Sequence, residues 1–289
     1  MLVANEWKDY EIIDASRGQK LERWKDVYLL RPDPQIVWDN GDLLEKYHSM
    51  INAVYYRSNK GGGHWENLRS TPGSWCVNYK DLTFNIKQMG FKHTGLFPEQ
   101  AVNWDFMIDK IKKSNRKIKV LNLFAYTGGA TVACLSAGAH VTHVDSSKGM
   151  VDWAKENVKA SGLQERPIRY LVDDVVKFVK REIRRGNKYD AIIMDPPSYG
   201  RGSNGEVWDI EKDLFNLVEL CSQILNDNPL FFIINSYTAG LSKEVLVNIL
   251  KLTVSNKYNG TIFSDEIGLP IKDSDLVLPC GIFARFETK

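Results

Sequence analysis

Residues Val120 to Ser147 read VLNLFAYTGGATVACLSAGAHVTHVDSS. The stretch offers strand, glycine turn, helix, second strand and acid in that order. Val120, Leu121, Leu123 and Phe124 form a short run that is apolar on both faces, as a buried parallel strand requires. Gly128 and Gly129 let the backbone turn sharply and let a ligand come close, because no side chain stands in the way. Residues 130–137 are small and mostly apolar, a helix able to pack tightly on a sheet, and Gly138 ends it. His140 to Val144 is the next strand, with Asp145 at its carboxyl end. This order is the first half of a doubly wound, nucleoside-binding α/β fold. In such folds ligands lie outside the carboxyl ends of the strands, and an acid after the second strand accepts from ribose hydroxyls.

Outward from this unit, strands and helices alternate. Strands are expected at Val120–Phe124, His140–Val144, Ile168–Val172, Ala191–Asp195 and Leu230–Asn235. Helices are expected at Gly129–Ala137, Lys148–Ser161, Val175–Arg185, Ile210–Leu225 and Lys243–Ser255. Thr261–Ile267 and Cys280–Glu287 follow without a helix of usual length between them. Five parallel strands and a closing pair predict a doubly wound, mostly parallel seven-stranded sheet with an antiparallel last strand.

Before this sheet the chain differs. Five of the eight tryptophans precede residue 98. Tyr10–Asp14, Asp26–Leu30 and Gln35–Trp38 are short strand-like pieces bounded by Gly, Pro, Asp or Asn. Leu43–Tyr55 reads as one short helix, Asn59–His64 as a turn, and Ser74–Asn78 with Leu82–Lys87 as a later strand pair. Residues 1–98 are therefore expected to form a small β-rich module, with residues 99–289 as the ligand-binding domain. A helix opens near Gln100 and runs to Ser114, with Val102, Phe106 and Ile111 as its apolar side. Its basic end, from Lys110 to Lys119, suits a solvated helix terminus complementing the dipole.

The composition is that of a globular protein, with 43% hydrophobic and 26% charged residues. A formal net charge of +2 is too mild to argue nucleic-acid binding by itself. Cys76, Cys134, Cys221 and Cys280 lie far apart and show no metal-ligand spacing, so they read as reduced core thiols of a cytoplasmic protein. No metal site is expected. The first residues carry no signal-peptide pattern, and no apolar run is long enough to span a membrane.

Acids recur at strand ends: Asp145 after the second strand, Asp173 and Asp174 after the third, Asp195 after the fourth. Strand ends of one parallel sheet open on one edge, so these groups can line one cleft. Asp145 suits a ribose and Asp173 or Asp174 an adenine amine, although Asp174 also suits the N-cap of the following helix. Asp195-Pro196-Pro197-Ser198-Tyr199 is a rigid turn at the end of a central strand. Its acid and its proline carbonyls can hold an amine or a base edge, and Tyr199 can stack on a flat base. The cations from Lys177 to Lys188 fit a solvated helix face as well as an RNA contact, whereas Arg201 beside the turn is better placed to meet a phosphate.

Asn122–Gly129, Val144–Ser147 and Asp195–Tyr199 resemble the class I S-adenosylmethionine-dependent methyltransferases, and more closely the bacterial branch that modifies 23S ribosomal RNA. The resemblance covers about residues 95–289. It implies a Rossmann-like fold, S-adenosyl-L-methionine as cofactor and RNA, ribosomal RNA above all, as substrate. By this resemblance Phe124, Ala125, Tyr126, Thr127 and Gly128 wrap the methionine part of the cofactor. Asp145 binds ribose with Ser146 beside it, and Asp173 or Asp174 contacts adenine. Asp195, Pro196, Pro197 and Tyr199 face the transferred methyl and its acceptor. The segment Gly95–Gln100, including Phe97, closes over the cofactor.

Two departures sharpen the reading. Asn122 stands where an acid is usual in the first loop motif, a variant the near relatives share. Methylation of cytosine carbon 5 needs a thiolate to activate the ring, and no cysteine stands just after the fourth or the fifth strand. The expected acceptor is therefore an atom that is already nucleophilic, a nitrogen or oxygen, for which positioning supplies most of the catalysis. Two rivals have distinct signatures. A small-molecule or protein methyltransferase transfers to small acceptors and not to ribosomal RNA. A nicotinamide-dependent oxidoreductase on a similar sheet is stabilised by NAD and not by S-adenosylhomocysteine.

Overall fold

The computed structural model describes residues 1–58, 62–202 and 205–288. They divide into two compact units. One comprises residues 2–101 with 268–280; the other comprises Met1, residues 102–267 and 281–289.

In the first unit β1 (Leu2–Val3) precedes β2 (Tyr10–Ser16), β3 (Gln19–Trp24) and β4 (Val27–Pro32). A short α1 (Leu43–Tyr47) leads to β5 (Ala53–Arg57) and β6 (Gly63–Asn67). β2 to β6 form a five-stranded sheet in chain order, and β7 (Trp75–Tyr79) with β8 (Leu82–Ile86) forms a separate pair. Leu21, Leu30, Leu43, Ile51 and Val54 fill the core between α1 and the sheet. β3 escapes a reading by alternation because its Glu22 is buried, paired with Arg31 at 2.5 Å. Gln35–Trp38 is not a strand: the Asp33 carboxylate accepts from the Gln35 amide at 3.2 Å and turns the chain. The helix expected over Leu43–Tyr55 stops at Tyr47, where the Met50 amide donates back to the Tyr47 carbonyl, and the β-branched and aromatic run Val54–Tyr56 becomes strand instead. Part of the turn expected at Asn59–His64 lies outside the described residues.

This unit extends past residue 98, through a 3₁₀ turn at Pro98–Gln100 to Ala101. It also takes in residues 268–280, because Ala4 donates to the Gly268 carbonyl at 3.0 Å and Lys272 to the Ile12 carbonyl at 2.9 Å.

The second unit begins with α2 (Ala101–Lys113). Its buried face is Asn103, Trp104, Met107 and Ile111; Val102 and Phe106, expected inside, are half-buried. Then come β9 (Lys119–Leu123), α3 (Gly129–Ser136), β10 (His140–Asp145), α4 (Lys148–Ala160), β11 (Ile168–Val172), α5 (Val175–Arg185) and β12 (Ala191–Met194). A hairpin, β13 (Tyr199–Arg201) and β14 (Val207–Asp209), interrupts the alternation. α6 (Ile210–Ser222), β15 (Phe231–Ser236), α7 (Lys243–Thr253), β16 (Gly260–Pro270) and β17 (Val277–Thr288) complete it.

The sheet order is β16-β17-β15-β12-β9-β10-β11, with β1 as an eighth strand beside β16. β9, β10, β11, β12 and β15 are parallel, and β17 is antiparallel to β15. β12 and β15 are buried throughout because helices cover both faces. In α5, Val175, Phe178, Val179 and Glu182 face inward at helical spacing. The strand order reverses between β9 and β12, and that switch point is where an open α/β sheet presents its ligand crevice.

Candidate functional site

The loop after β9 sets the geometry. Phe124, Tyr126 and Gly128 all have positive φ, at 52°, 51° and 83°. For Phe and Tyr this left-handed backbone costs on the order of 1–3 kcal/mol each, so surrounding bonds must hold it. They do. The Ala125 amide donates to the Val144 carbonyl at 3.1 Å, and the Gly128 amide to the Ala125 carbonyl at 3.0 Å. The Tyr126 amide donates to Asp145 Oδ2 at 2.8 Å, while the Ser147 amide donates to Oδ1 at 2.8 Å. Asp145 is thus fixed by the loop before it and the turn after it. Burial raises its pKa above the usual carboxylate value, and the two amide bonds oppose that shift.

Beneath the loop runs a buried polar chain. Asn122 Nδ2 donates to Thr131 Oγ1 at 3.0 Å, and Thr131 Oγ1 lies 2.8 Å from Nδ1 of the fully buried His143. The direction of the Thr131–His143 bond follows the tautomer of the imidazole. Burial lowers the His143 pKa to about 4, so the ring stays neutral. Asn122 is thereby a structural hydrogen-bond donor in place of an acid, a role its identity alone does not disclose. Close packing also explains the two glycines. A Cβ on Gly128 would stand 3.0 Å from that of Ala154, and one on Gly129 would stand 2.8 Å from the Trp104 ring.

Asp173 and Asp174 separate clearly. Asp174 Oδ1 accepts from the Lys177 amide at 2.8 Å and caps α5. Asp173 donates its amide to the Asp145 carbonyl at 3.0 Å, and its carboxylate pairs with Arg181. Val172, one residue earlier, is an exposed apolar side chain at the same edge.

Asp195 follows β12, its amide 3.4 Å from the Leu123 carbonyl. Pro196 is buried, while Pro197, Ser198 and Tyr199 are exposed. The expectation that both proline carbonyls stay unclaimed fails at Pro197, whose carbonyl accepts from Trp208 Nε1 at 2.7 Å. Trp208 also packs on Phe124 with ring centroids 5.0 Å apart, so it ties the turn to the glycine loop. Sequence reading passed over Trp208; its one signal is a tryptophan directly before the N-cap Asp209 of α6. Ser198 and Thr238 share a 2.7 Å hydroxyl contact, which braces the turn against the segment after β15. Asn103 Nδ2 donates to Asn235 Oδ1 at 3.0 Å, a buried pair that was likewise not anticipated. Tyr199 Oη accepts from Arg201 Nε at 3.3 Å.

Phe124, Ala125, Tyr126, Thr127, Gly128, Asp145, Ser146, Asp173 and Asp195 therefore meet at the carboxyl ends of β9, β10, β11 and β12. Phe97 belongs to the other unit, before its 3₁₀ turn, with its ring 5.6 Å from His93. Cys134 and Cys221 are buried in α3 and α6 with thiols pushed up by burial, away from these strand ends. Among the described residues no His, Cys, Asp and Glu cluster could hold a metal, and no helix is long and apolar enough to cross a membrane. The donor set fits an adenosyl cofactor with an amino-acid tail. A fixed carboxylate suits ribose hydroxyls, an exposed apolar residue suits a base, and Gly128 in a left-handed turn lets a ligand approach the loop backbone.

Comparison with known proteins agrees. Residues 63–244 match the family model described as S-adenosylmethionine-dependent methyltransferase. The crystal structure of the SAM-dependent methyltransferase from Agrobacterium tumefaciens is 33% identical, covers 100% of this chain and 93% of its own, and superposes with a TM-score of 0.93. A putative SAM-dependent methyltransferase from Streptococcus mutans shares the fold at 20% identity, with a TM-score of 0.76 over 98% of this chain and 76% of its own. The ribosomal RNA large subunit methyltransferase K/L of Shewanella frigidimarina is 33% identical over 171 residues, 58% of this chain and 23% of that protein. The chain spans about a quarter of the length of such curated relatives. The motifs, the strand order and these likenesses agree that the chain belongs to the S-adenosylmethionine-dependent methyltransferases, enzymes of Rossmann-like fold that use S-adenosyl-L-methionine.

Proposed function

We propose that this enzyme methylates RNA, with large-subunit ribosomal RNA as the substrate and a nucleophilic nitrogen or oxygen as the acceptor atom. The observation that carries the reading is the turn Asp195–Tyr199. It stands at the switch point of the sheet, is braced by Trp208 and Ser198, and presents Tyr199 on its outer side with 55% of its surface exposed. An exposed aromatic beside a fixed carboxylate suits a base swung out of its stack. The likeness to ribosomal RNA methyltransferases supports the same substrate class.

When bound, the cofactor supplies a methyl group on its sulfonium. The chain then contributes positioning. Asp145 holds the ribose, Asp173 reaches the adenine edge, and the loop Phe124–Gly128 wraps the methionine end. Asp174 caps α5 and is left out of this assignment. Asp195 and the Pro196 carbonyl orient the acceptor, and Tyr199 stacks on its base. No thiolate takes part, in keeping with the buried Cys134 and Cys221. The β-rich unit of residues 2–101 with 268–280 acts as an accessory module to the methyltransferase domain, and a ribosomal substrate places the enzyme in the cytoplasm. The test is transfer of labelled methyl groups by the purified protein. Label in ribosomal RNA and none in small acceptors is expected; label only in small molecules or proteins overturns the reading.

A further inference from the structure

We infer that the sheet edge opposite the transfer site carries a second binding site, a basic cleft that takes a backbone phosphate of the RNA substrate. The inference rests on the RNA reading above. It starts from the register of the parallel strands. Lys119 lies opposite His140, Val141 opposite Ile168 and Val120 opposite Ala191. The first residues of β9, β10 and β11 and the residues just before β12 therefore share one edge. The last turn of α5, with Arg184 and Arg185, returns to this edge before Lys188.

A cleft of about 400 Å³ opens there, lined by Lys119, His140, Arg169, Glu182, Lys188 and Tyr189 among others. Lys119, Arg169 and Lys188 are exposed. The one acid of the lining, Glu182, is fully buried at the floor. Its Oε2 accepts from Tyr189 Oη at 2.6 Å and from Asn187 Nδ2 at 2.9 Å, and its Oε1 accepts from Arg185 Nη1 at 3.1 Å. Arg169 lies 3.9 Å from the same oxygen. Burial works against its charge, but these hydrogen bonds and the Arg169 charge outweigh burial and hold the carboxyl below its ordinary range. Glu182 thus fixes two guanidinium groups at the rim instead of repelling an anion. Lys188 Nζ donates to the backbone carbonyl of Gln223 at 2.5 Å, a neutral acceptor. Three lining cations, Lys119, Arg169 and Lys188, against one satisfied acid make a strong local excess in a chain whose net charge is only +2.

A phosphate diester meets this arrangement with charge-assisted bonds to guanidinium and ammonium groups. Five-residue strands rising about 3.3 Å per residue put the cleft roughly 15 Å from the transfer edge. The contact is therefore to RNA flanking the methylated base. It sets where the RNA lies without reading its sequence.

The test is binding of a large-subunit ribosomal RNA transcript over a salt series. It compares the wild type with the triple variant Lys119→Ala, Arg169→Ala, Lys188→Ala and the double variant Lys119→Ala, Lys188→Ala. The double variant keeps Arg169 beside the buried Glu182, so it stays informative if the triple variant folds poorly. For the triple variant the slope of log K against log salt should fall by about two to three, and Kd near 0.1 M salt should rise roughly ten- to hundredfold. The double variant should show a smaller change of the same sign. S-adenosylhomocysteine binding should be unchanged in both. Wild-type slope and Kd in both variants overturn the cleft and leave the RNA reading standing. A wild-type enzyme that neither binds nor methylates ribosomal RNA overturns both. Calorimetric titration with inorganic phosphate separates the sources of the anion. Phosphate binding lost in the variants while RNA binding persists assigns the cleft to a free anion and overturns the proposal.

Discussion

Asp145 ends β10 and Asp195 follows β12, on either side of β9, and they differ in role as well as in place. Asp145 has both oxygens accepting from backbone amides, so Asp145→Asn removes the charge and sets an NH2 donor against one of those N–H groups. Loss of charge-assisted bonds to ribose hydroxyls should weaken S-adenosylhomocysteine binding by about 1.5–3 kcal/mol, read by calorimetry. The raised pKa gives the pH dependence a sign. A buried acid with a raised pKa takes up its proton earlier as pH falls, so cofactor affinity should drop at a higher pH than an ordinary aspartate would dictate, and Asp145→Asn should abolish that dependence. Asp195→Ala should behave differently. Misplacing the acceptor should lower methyl transfer roughly a hundredfold or more while cofactor binding largely survives. Unchanged turnover in Asp195→Ala would remove its assigned role. At this scale the sequence is legible where an acid ends a strand, because strand order alone brings such groups together. It is silent on Trp208 and on the Asn122–Thr131–His143 chain, because those contacts join residues that share no local pattern.

The glycine loop and α2 form the element that sets close packing. Gly129 admits the Trp104 ring where any Cβ would collide with it at 2.8 Å, and a ring cannot swing aside as a flexible chain end can. Gly129→Ala should lower stability by about 1–3 kcal/mol through overpacking, seen as a fall in Tm. Cofactor affinity should fall with it, because the loop and the start of α3 move together. β9, β10, β12 and β15 are readable as elements because they are buried on both faces, and α5 because its inward residues repeat at helical spacing. The hairpin β13–β14 was not, since it is short and pairs only with itself. In the N-terminal unit β3 was hidden by its buried Glu22, a charge where alternation calls for an apolar side chain.

That buried charge governs stability at the scale of the whole molecule. Burial would raise the pKa of Glu22, but Arg31 and Lys20, with hydrogen bonds from Arg31 and Tyr10, bring it down to about 2. A carboxyl depressed on folding stabilises the native state fully above its ordinary 4.5 and loses that contribution as pH falls toward 2. The interval corresponds to about 3 kcal/mol. Acid unfolding of the wild type should therefore be steeper through this window than that of Glu22→Gln, which should already be less stable at pH 7. The division of the chain also bears on how it is made. Residues 268–280 complete the unit that residues 2–101 begin, through the Gly268 and Ile12 carbonyls. A ribosome delivers the first hundred residues early and this last piece only after the whole run of β9 to α7. The opening unit must then wait, partly assembled, until almost all of the chain has emerged. A fragment of residues 1–101 should melt with a broad, low transition, and adding a peptide of residues 268–280 should sharpen it. In the order of synthesis, the module that comes first is among the last to be finished.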